Sequence, residues 1–287
     1  MRWAVTDSLY CPESYFASHL DSYTHYLREA GEAVAQVDLN GCVTCVYVSM
    51  GEPEVLFQLD RYEQPWWDCK VKIAQVAAIC SPMPWEVRKP DGSPAYDCVI
   101  SSIPWMVEAA RAAGCRGEYL PLAFDTRARV CGMGVKRDLG AIFIGSVGPN
   151  HQRRAQLLAE LADVVTVLPP VFGREYFKTL ARAKVVFNVH AEWARGAANN
   201  MRIFEATGMG AQCLSDGGDL ARADLPGQYV SNFDLKDHTP REQVLKLLSD
   251  YERYGHRETG AATLVRHTYE SRIPRLIQIA KDLLERK

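Results

Sequence analysis

Short apolar runs alternate with stretches of helical periodicity along almost the whole chain. In the first half, residues 2–6, 34–37, 43–50, 55–59, 96–101 and 118–122 read as strands. Between them, residues 14–30 place Phe16, Leu20, Tyr23, Leu27 and Ala30 at helical spacing with Gly31 as the stop, and residues 104–113 read as a helix closed by Gly114. Residues 70–80 fit either period. A second series runs strand 141–144, helix 151–161, strand 164–168, helix 174–183, strand 185–189, helix 200–207 and strand 211–215, and the chain beyond Pro240 is almost entirely helical. Strands that alternate with helices join parallel sheets covered on both faces, which predicts an α/β fold.

Periodicity lapses between Asp125 and Leu139, where Arg127, Arg129, Lys136 and Arg137 surround Gly132 and Gly134. That segment reads as a linker between two domains, and 287 residues suffice for both. The expected division is 1–135, then 140–270, then a closing helix over 271–287.

Composition narrows the function classes. The chain has 33 Lys and Arg against 35 Asp and Glu, a net charge of −2, which argues against a surface basic all over and built for nucleic acid. No apolar run reaches the roughly 20 residues of a membrane span. The start Met1-Arg2-Trp3-Ala4-Val5 reads as a strand rather than a signal peptide, and nine scattered cysteines suggest reduced thiols, so a cytoplasmic location is expected. Cys42-x-x-Cys45 has no second pair at zinc-binding spacing, and no metal is expected.

In open parallel sheets ligands bind beyond the carboxyl ends of the strands. In the second series this selects the loops 145–150, 169–173, 190–198 and 216–219. Gly145-Ser146-Val147-Gly148 is a strand-to-helix turn whose glycines allow close backbone approach to a ligand, and Pro169 opens the second loop. The helix after the third loop begins Asn199-Asn200-Met201-Arg202-Ile203-Phe204-Glu205. An Asn cap and free N–H groups at a helix start suit a phosphate, and Arg202 adds a full charge. Glu205 lies three residues on, suited to the diol of a ribose or, in the plainer case, to an Arg–Glu surface pair. Arg153 and Arg154 face either phosphate or solvent, and Asp216 and Asp219 read as polar contacts to donor or acceptor, or as turn residues, in preference to metal ligands. In the first half, Asp7 directly follows the first strand and is the candidate general base, while Trp66 and Trp67 read either as core residues or as an aromatic platform for an acceptor, with Trp85 as a further wall of a pocket for a flipped base.

The segment from Asn200 to Asp216 resembles the signature of the CgeB/YkvP-like glycosyltransferases: Asn-x-Arg-x-Phe-Glu-Ala, a small residue, Gly, then an apolar strand ending in Asp. Gly173-Arg174-Glu175-Tyr176-Phe177 with Ala183-Lys184-Val185, and His267-Thr268-Tyr269-Glu270-Ser271-Arg272, resemble two further elements of that family in the same order. The resemblance implies a GT-B architecture, in which two Rossmann-like domains face each other across a cleft and a C-terminal helix crosses back. It implies a nucleotide-sugar donor, a UDP-sugar foremost, held by the second domain as co-substrate, with no cofactor and no metal. Glu205 matches the ribose-binding glutamate of related retaining enzymes. Their other glutamate stands eight positions earlier, where this chain has Ala197, and Asn199 or Asn200 is the candidate replacement. The acceptor classes are a glycan, a small molecule or a hydroxymethylated base in phage DNA, for which Arg127, Arg129, Lys136 and Arg137 would form part of a basic rim. The alternatives within the fold are a nucleotide-sugar epimerase and a non-catalytic nucleotide-sugar binder.

Overall fold

The computed structural model describes residues 1–7, 17–38, 53–59, 69–76, 82–148, 151–190, 201–216, 230–232, 238–254 and 265–287. The chain forms two compact units, Met1–Pro121 with Tyr269–Lys287, and Leu122–Thr268.

The first unit is built on β1 (Arg2–Asp7), α1 (Ala17–Glu29), β2 (Ala33–Asp38), β3 (Val55–Leu59), β4 (Val71–Val76), β5 (Cys98–Ser101), α2 (Pro104–Ala112) and β6 (Arg116–Tyr119). Its sheet has six parallel strands in the order β2-β1-β3-β4-β5-β6. All five residues of β3 are buried, as expected for a strand covered on both faces. Its one polar side chain, Gln58, accepts a hydrogen bond from the Tyr96 hydroxyl at 2.8 Å. The ambiguous stretch after Lys70 resolves as strand β4. The strand expected over 118–122 lies two residues earlier, because β6 pairs from Cys98↔Arg116 to Ser101↔Tyr119 and its partner β5 ends there. Of the helical apolar series, Leu20, Tyr23 and Leu27 are buried, whereas Ala30 lies beyond the helix end and is exposed. The expected strand at 43–50 and Phe16 lie outside the described residues.

The second unit carries a short 3-10 helix (Thr126–Gly132), β7 (Leu139–Ile144), α3 (Gln152–Glu160), β8 (Val165–Leu168), α4 (Gly173–Arg182), β9 (Ala183–Asn188), α5 (Met201–Gly208), β10 (Gln212–Ser215), β11 (Val230–Asn232) and α6 (Pro240–Tyr254). Five parallel strands run in the order β11-β10-β9-β7-β8. Phe143, Leu158, Val185, Phe187, Leu214 and Val244 meet in its core. The last helix, α7 (Tyr269–Leu284), belongs to the first unit. There Tyr269 stacks on Tyr26, meets Tyr23 edge-on at 5.0 Å and hydrogen-bonds His19 Nδ1. Burial pushes His19 down to about 3.

The segment read as a linker is instead part of the second unit, whose boundary falls at Leu122 rather than after residue 135. The Phe124 N–H donates to the His267 carbonyl at 2.7 Å, and Ala128 is buried in the 3-10 turn. Arg137 donates to the carbonyls of Ala183 and Met209, each at 2.6 Å, and Arg127 pairs with Asp125. Two of the four cations offered as a basic rim are therefore engaged within the unit itself. The segment lacks periodicity because these backbone and side-chain bonds hold it, with little help from an apolar stripe.

Gly208, at the end of α5, lies against the fully buried Phe124 ring, and a Cβ there would stand 2.4 Å from Phe124 Cγ. Overpacking of this kind costs about 1–3 kcal/mol. Gly208→Ala should lower the urea midpoint accordingly, and an unchanged midpoint would refute this packing. Among the described residues no helix is long and apolar enough to cross a membrane.

Candidate functional site

The second sheet places β7 between β8 and β9. The chain leaves β7 for β8 on one side and returns to β9 on the other, so the winding reverses between β7 and β9. Ligands of open α/β sheets bind outside the carboxyl ends at such a reversal. β7 ends at Ile144 and runs into Gly145-Ser146, while β9 ends at Asn188 and runs into Val189-His190.

Arg202 of α5 joins the two strand ends. Its Nη1 donates to Asn188 Oδ1 at 2.8 Å, and its guanidinium lies 4.9 Å from the centre of the Phe143 ring. Asn188 in turn donates to Ser215 Oγ at 2.8 Å, which brings in β10. Gly145 has φ +151°, and a Cβ on it would stand 2.6 Å from Arg202 Nη2. Glycine at this turn is thus what lets the guanidinium lie against the backbone at the reversal point.

Glu205 is 3% exposed and Arg202 8%, so the two do not form a surface pair. The Tyr176 hydroxyl donates to Glu205 Oε2 at 2.6 Å. Burial pushes the Glu205 carboxyl up to about 7, with the Tyr176 bond and the Arg202 charge pulling the other way. A buried carboxyl with one strong donor and a raised pKa retains acceptor capacity for further hydroxyls.

A third group stands at the ends of β9 and β10. Asp216 Oδ1 accepts from the His190 backbone N–H at 2.8 Å and from His190 Nδ1 at 2.6 Å, and Oδ2 accepts from Arg153 Nη1 at 2.7 Å. Burial works against the Asp216 carboxylate, yet these donors hold it below the usual carboxylate range. Asp216 is thereby more than a turn residue. Arg153 is tied to it while its side chain stays exposed, and Arg154 is buried, with Nη1 on the Ser146 carbonyl at 2.8 Å and Nη2 on the Val189 carbonyl at 2.9 Å. Among the described residues no group of three or more His, Cys, Asp or Glu side chains is placed to hold a metal ion.

The structure thus brings Gly145, Arg202 and the start of the Ser146 turn together, with Glu205 one helical turn on. Pro169 follows β8 and is exposed. Asn199, Asn200, Ala197, Asp219, Trp66, Trp67 and the Cys42/Cys45 pair lie outside the described residues. The Asp7 backbone closes β1, opposite Asp38 and Leu59, and its side chain lies outside the described set. Trp85 is buried and packs edge-on against Trp105 at 6.4 Å, so it serves the core and not an open platform. Two residues gained a place that the sequence did not assign. Tyr176 sits in a quoted motif without a role, and His190 was only the first residue of a loop. The signal for His190 was available in the parallel strands: Ser215 pairs with Asn188, so Asp216 and the segment Val189-His190 leave the sheet side by side.

The glycosyl transferase-like family matches residues 135–278, half of the chain, and this span contains Gly145, Arg153, Arg154, Tyr176, His190, Arg202, Glu205 and Asp216. The chain belongs to that family. No curated protein matches this glycosyl transferase-like chain in sequence. Solved structures do match in fold. AviGT4, a glycosyltransferase involved in avilamycin A biosynthesis, has a TM-score of 0.64 at 13% identity, over 99% of this chain and 98% of its own. An α-glucosyltransferase in complex with UDP-glucose and DNA containing an abasic site has a TM-score of 0.65 at 10% identity, over 98% and 99%. Alr3699/HepE of Anabaena, in complex with UDP, has a TM-score of 0.55 at 12% identity, over 98% and 100%. The glycosyl transferase-like chain therefore has the α/β architecture of GT-B glycosyltransferases, with parallel sheets in two domains.

Proposed function

We propose that the protein transfers a sugar from a nucleotide-diphosphate sugar, with UDP as the carrier, to an acceptor hydroxyl. The observation that carries this reading is the pair of buried charged groups, Arg202 and Glu205, on one short helix at the reversal point of the second sheet. Buried charges cost free energy unless they are matched, and an anionic diphosphate beside a ribose diol matches both. Arg202 meets the diphosphate and the charge that grows on it as the glycosidic bond breaks. The Gly145-Ser146 backbone lines the phosphate, with Asn199 and Asn200 of the preceding sequence as further candidate ligands, Glu205 accepts from the ribose, and Pro169 borders the base. Complexes of two fold neighbours with UDP or UDP-glucose support uracil as the base. The His267-Thr268-Tyr269 segment, with His267 beside Phe204, supports a place in the CgeB/YkvP-like branch. Asp7 is the candidate base toward the acceptor.

A thermal-shift panel of nucleotide sugars tests the donor, since a ligand at 100 times its Kd stabilises by about 2.7 kcal/mol. No shift with any of them overturns the reading. Product analysis then decides the reaction. Label transferred to a glycan, a small molecule or hydroxymethylated DNA identifies the acceptor. Conversion of the sugar without an acceptor reassigns the protein as an epimerase, and tight binding without turnover reassigns it as a binder. A DNA acceptor requires affinity that falls by orders of magnitude between 50 and 200 mM salt for about six phosphate contacts.

Turnover should also survive a chelator. Arg202 supplies the positive group, and the oxygens of Asp216 are already taken by His190 and Arg153. Loss of transfer in EDTA, restored by a divalent ion, would show that a metal supplies the charge instead.

A further inference from the structure

We propose that His190 holds the transferred sugar, accepting a hydrogen bond from one of its hydroxyls at Nε2; this rests on the donor reading above. His190 is 6% exposed and stands two residues beyond Asn188, the group that anchors Arg202. Its ring is fixed from one side. Asp216 accepts from both the His190 backbone N–H and Nδ1, and Arg153 fixes Asp216 in turn. A carboxylate only accepts, so His190 donates through Nδ1, and the tautomer with its proton there presents a lone pair at Nε2. That Nε2 is buried and has no hydrogen-bond partner among the described residues.

A buried ring nitrogen without a partner is costly, and a network of this order built around one points to a partner that arrives with a ligand. The chemistry selects which part of the ligand it is. A lone pair repels phosphate oxygens and receives an O–H. Three cations, Arg153, Arg154 and Arg202, already surround this strand end and suit the diphosphate. Of the groups of a nucleotide sugar at the carboxyl edge, the sugar hydroxyls are what remains for an acceptor. His190 is therefore a specificity residue: it reads a hydroxyl on the sugar, while Arg202 and Glu205 read what every sugar on the same carrier shares.

The test compares UDP with UDP-glucose, UDP-galactose, UDP-N-acetylglucosamine and UDP-glucuronic acid by calorimetry. His190→Ala should weaken the preferred UDP-sugar roughly tenfold and leave free UDP within a factor of about two. Equal losses for both, or no loss for either, overturn the assignment while leaving the donor reading intact. A native protein that binds neither UDP nor any of its sugars overturns both. Should His190→Ala fail to fold, deoxygenated analogues of the preferred sugar give the same answer on the native protein. One deoxy position should lose roughly the same factor, and analogues that all bind like the parent overturn the proposal.

Discussion

Arg202→Ala is expected to lower sugar transfer by about 10²–10³-fold, the usual cost of removing a donor aimed at developing charge. Donor affinity should fall by less, because the diphosphate takes on one further negative charge only as the sugar leaves. The side chain also has structural work, bonding Asn188 at 2.8 Å and lying over Phe143, so about 1–3 kcal/mol of stability should go with it. Arg202→Lys separates the two parts. It keeps the charge but loses the fork that reaches Asn188 and the ligand together, so a partial recovery of rate is expected. Steady-state rates beside denaturation midpoints check this. A rate loss no larger than the change in folded fraction would make Arg202 a packing residue only.

Donor affinity should rise with pH up to about 7 and then level off. Glu205 is pushed up to about 7 by its burial, so below that pH the free protein carries a protonated carboxyl. A ribose diol donates two hydrogen bonds, which a carboxylate accepts better than a carboxylic acid does. Donor binding must then release a proton, and affinity should drop about tenfold for each pH unit below 7. Folding responds in the opposite sense. Between the unfolded value of about 4.3 and the folded value, the folded chain holds a proton that the unfolded chain has lost, so stability falls as pH rises through this window and is flat above it. The size of this drift is on the order of 3 kcal/mol. Glu205→Gln should flatten both curves and weaken the donor at pH 8. A nucleotide sugar is the right probe, since its diphosphate diester does not titrate in this range. A donor Kd that stays constant from pH 5.5 to 8 in the native protein would remove Glu205 from the ribose.

The fold class was written in the alternation of periods, and most strands fell within a residue or two of where the apolar runs lie. What the local pattern could not carry was pairing. The strand expected at 118–122 shifts because its partner β5 ends at Ser101, a fact about a different segment. The loss of periodicity after Asp125 is also what a linker would show, yet Arg137 there bonds carbonyls 46 and 72 residues away. At the site, the Arg–Glu spacing was legible but its environment was not weighed. Met201, Ile203, Phe204 and Ala206 point around the whole circumference of α5, and a helix apolar on all sides leaves no solvent face for Arg202 and Glu205. All eight residues of that helix are buried. The His190–Asp216 pair needed one further step, from the alternation to the neighbourhood of two strands.

The chain departs from its first unit at Pro121 and comes back to it at Tyr269. The ribosome therefore makes the second unit as one unbroken piece before it makes the helix that completes the first. Until then, α1 waits with Tyr23 and Tyr26 lacking Tyr269, the ring that packs on both. A nascent chain that has just passed Thr268 carries every residue of the second unit, while the first still lacks its last helix. The half that is written first is the half that matures last, and fragments cut at Leu122 and Thr268 are the natural pieces in which to express it.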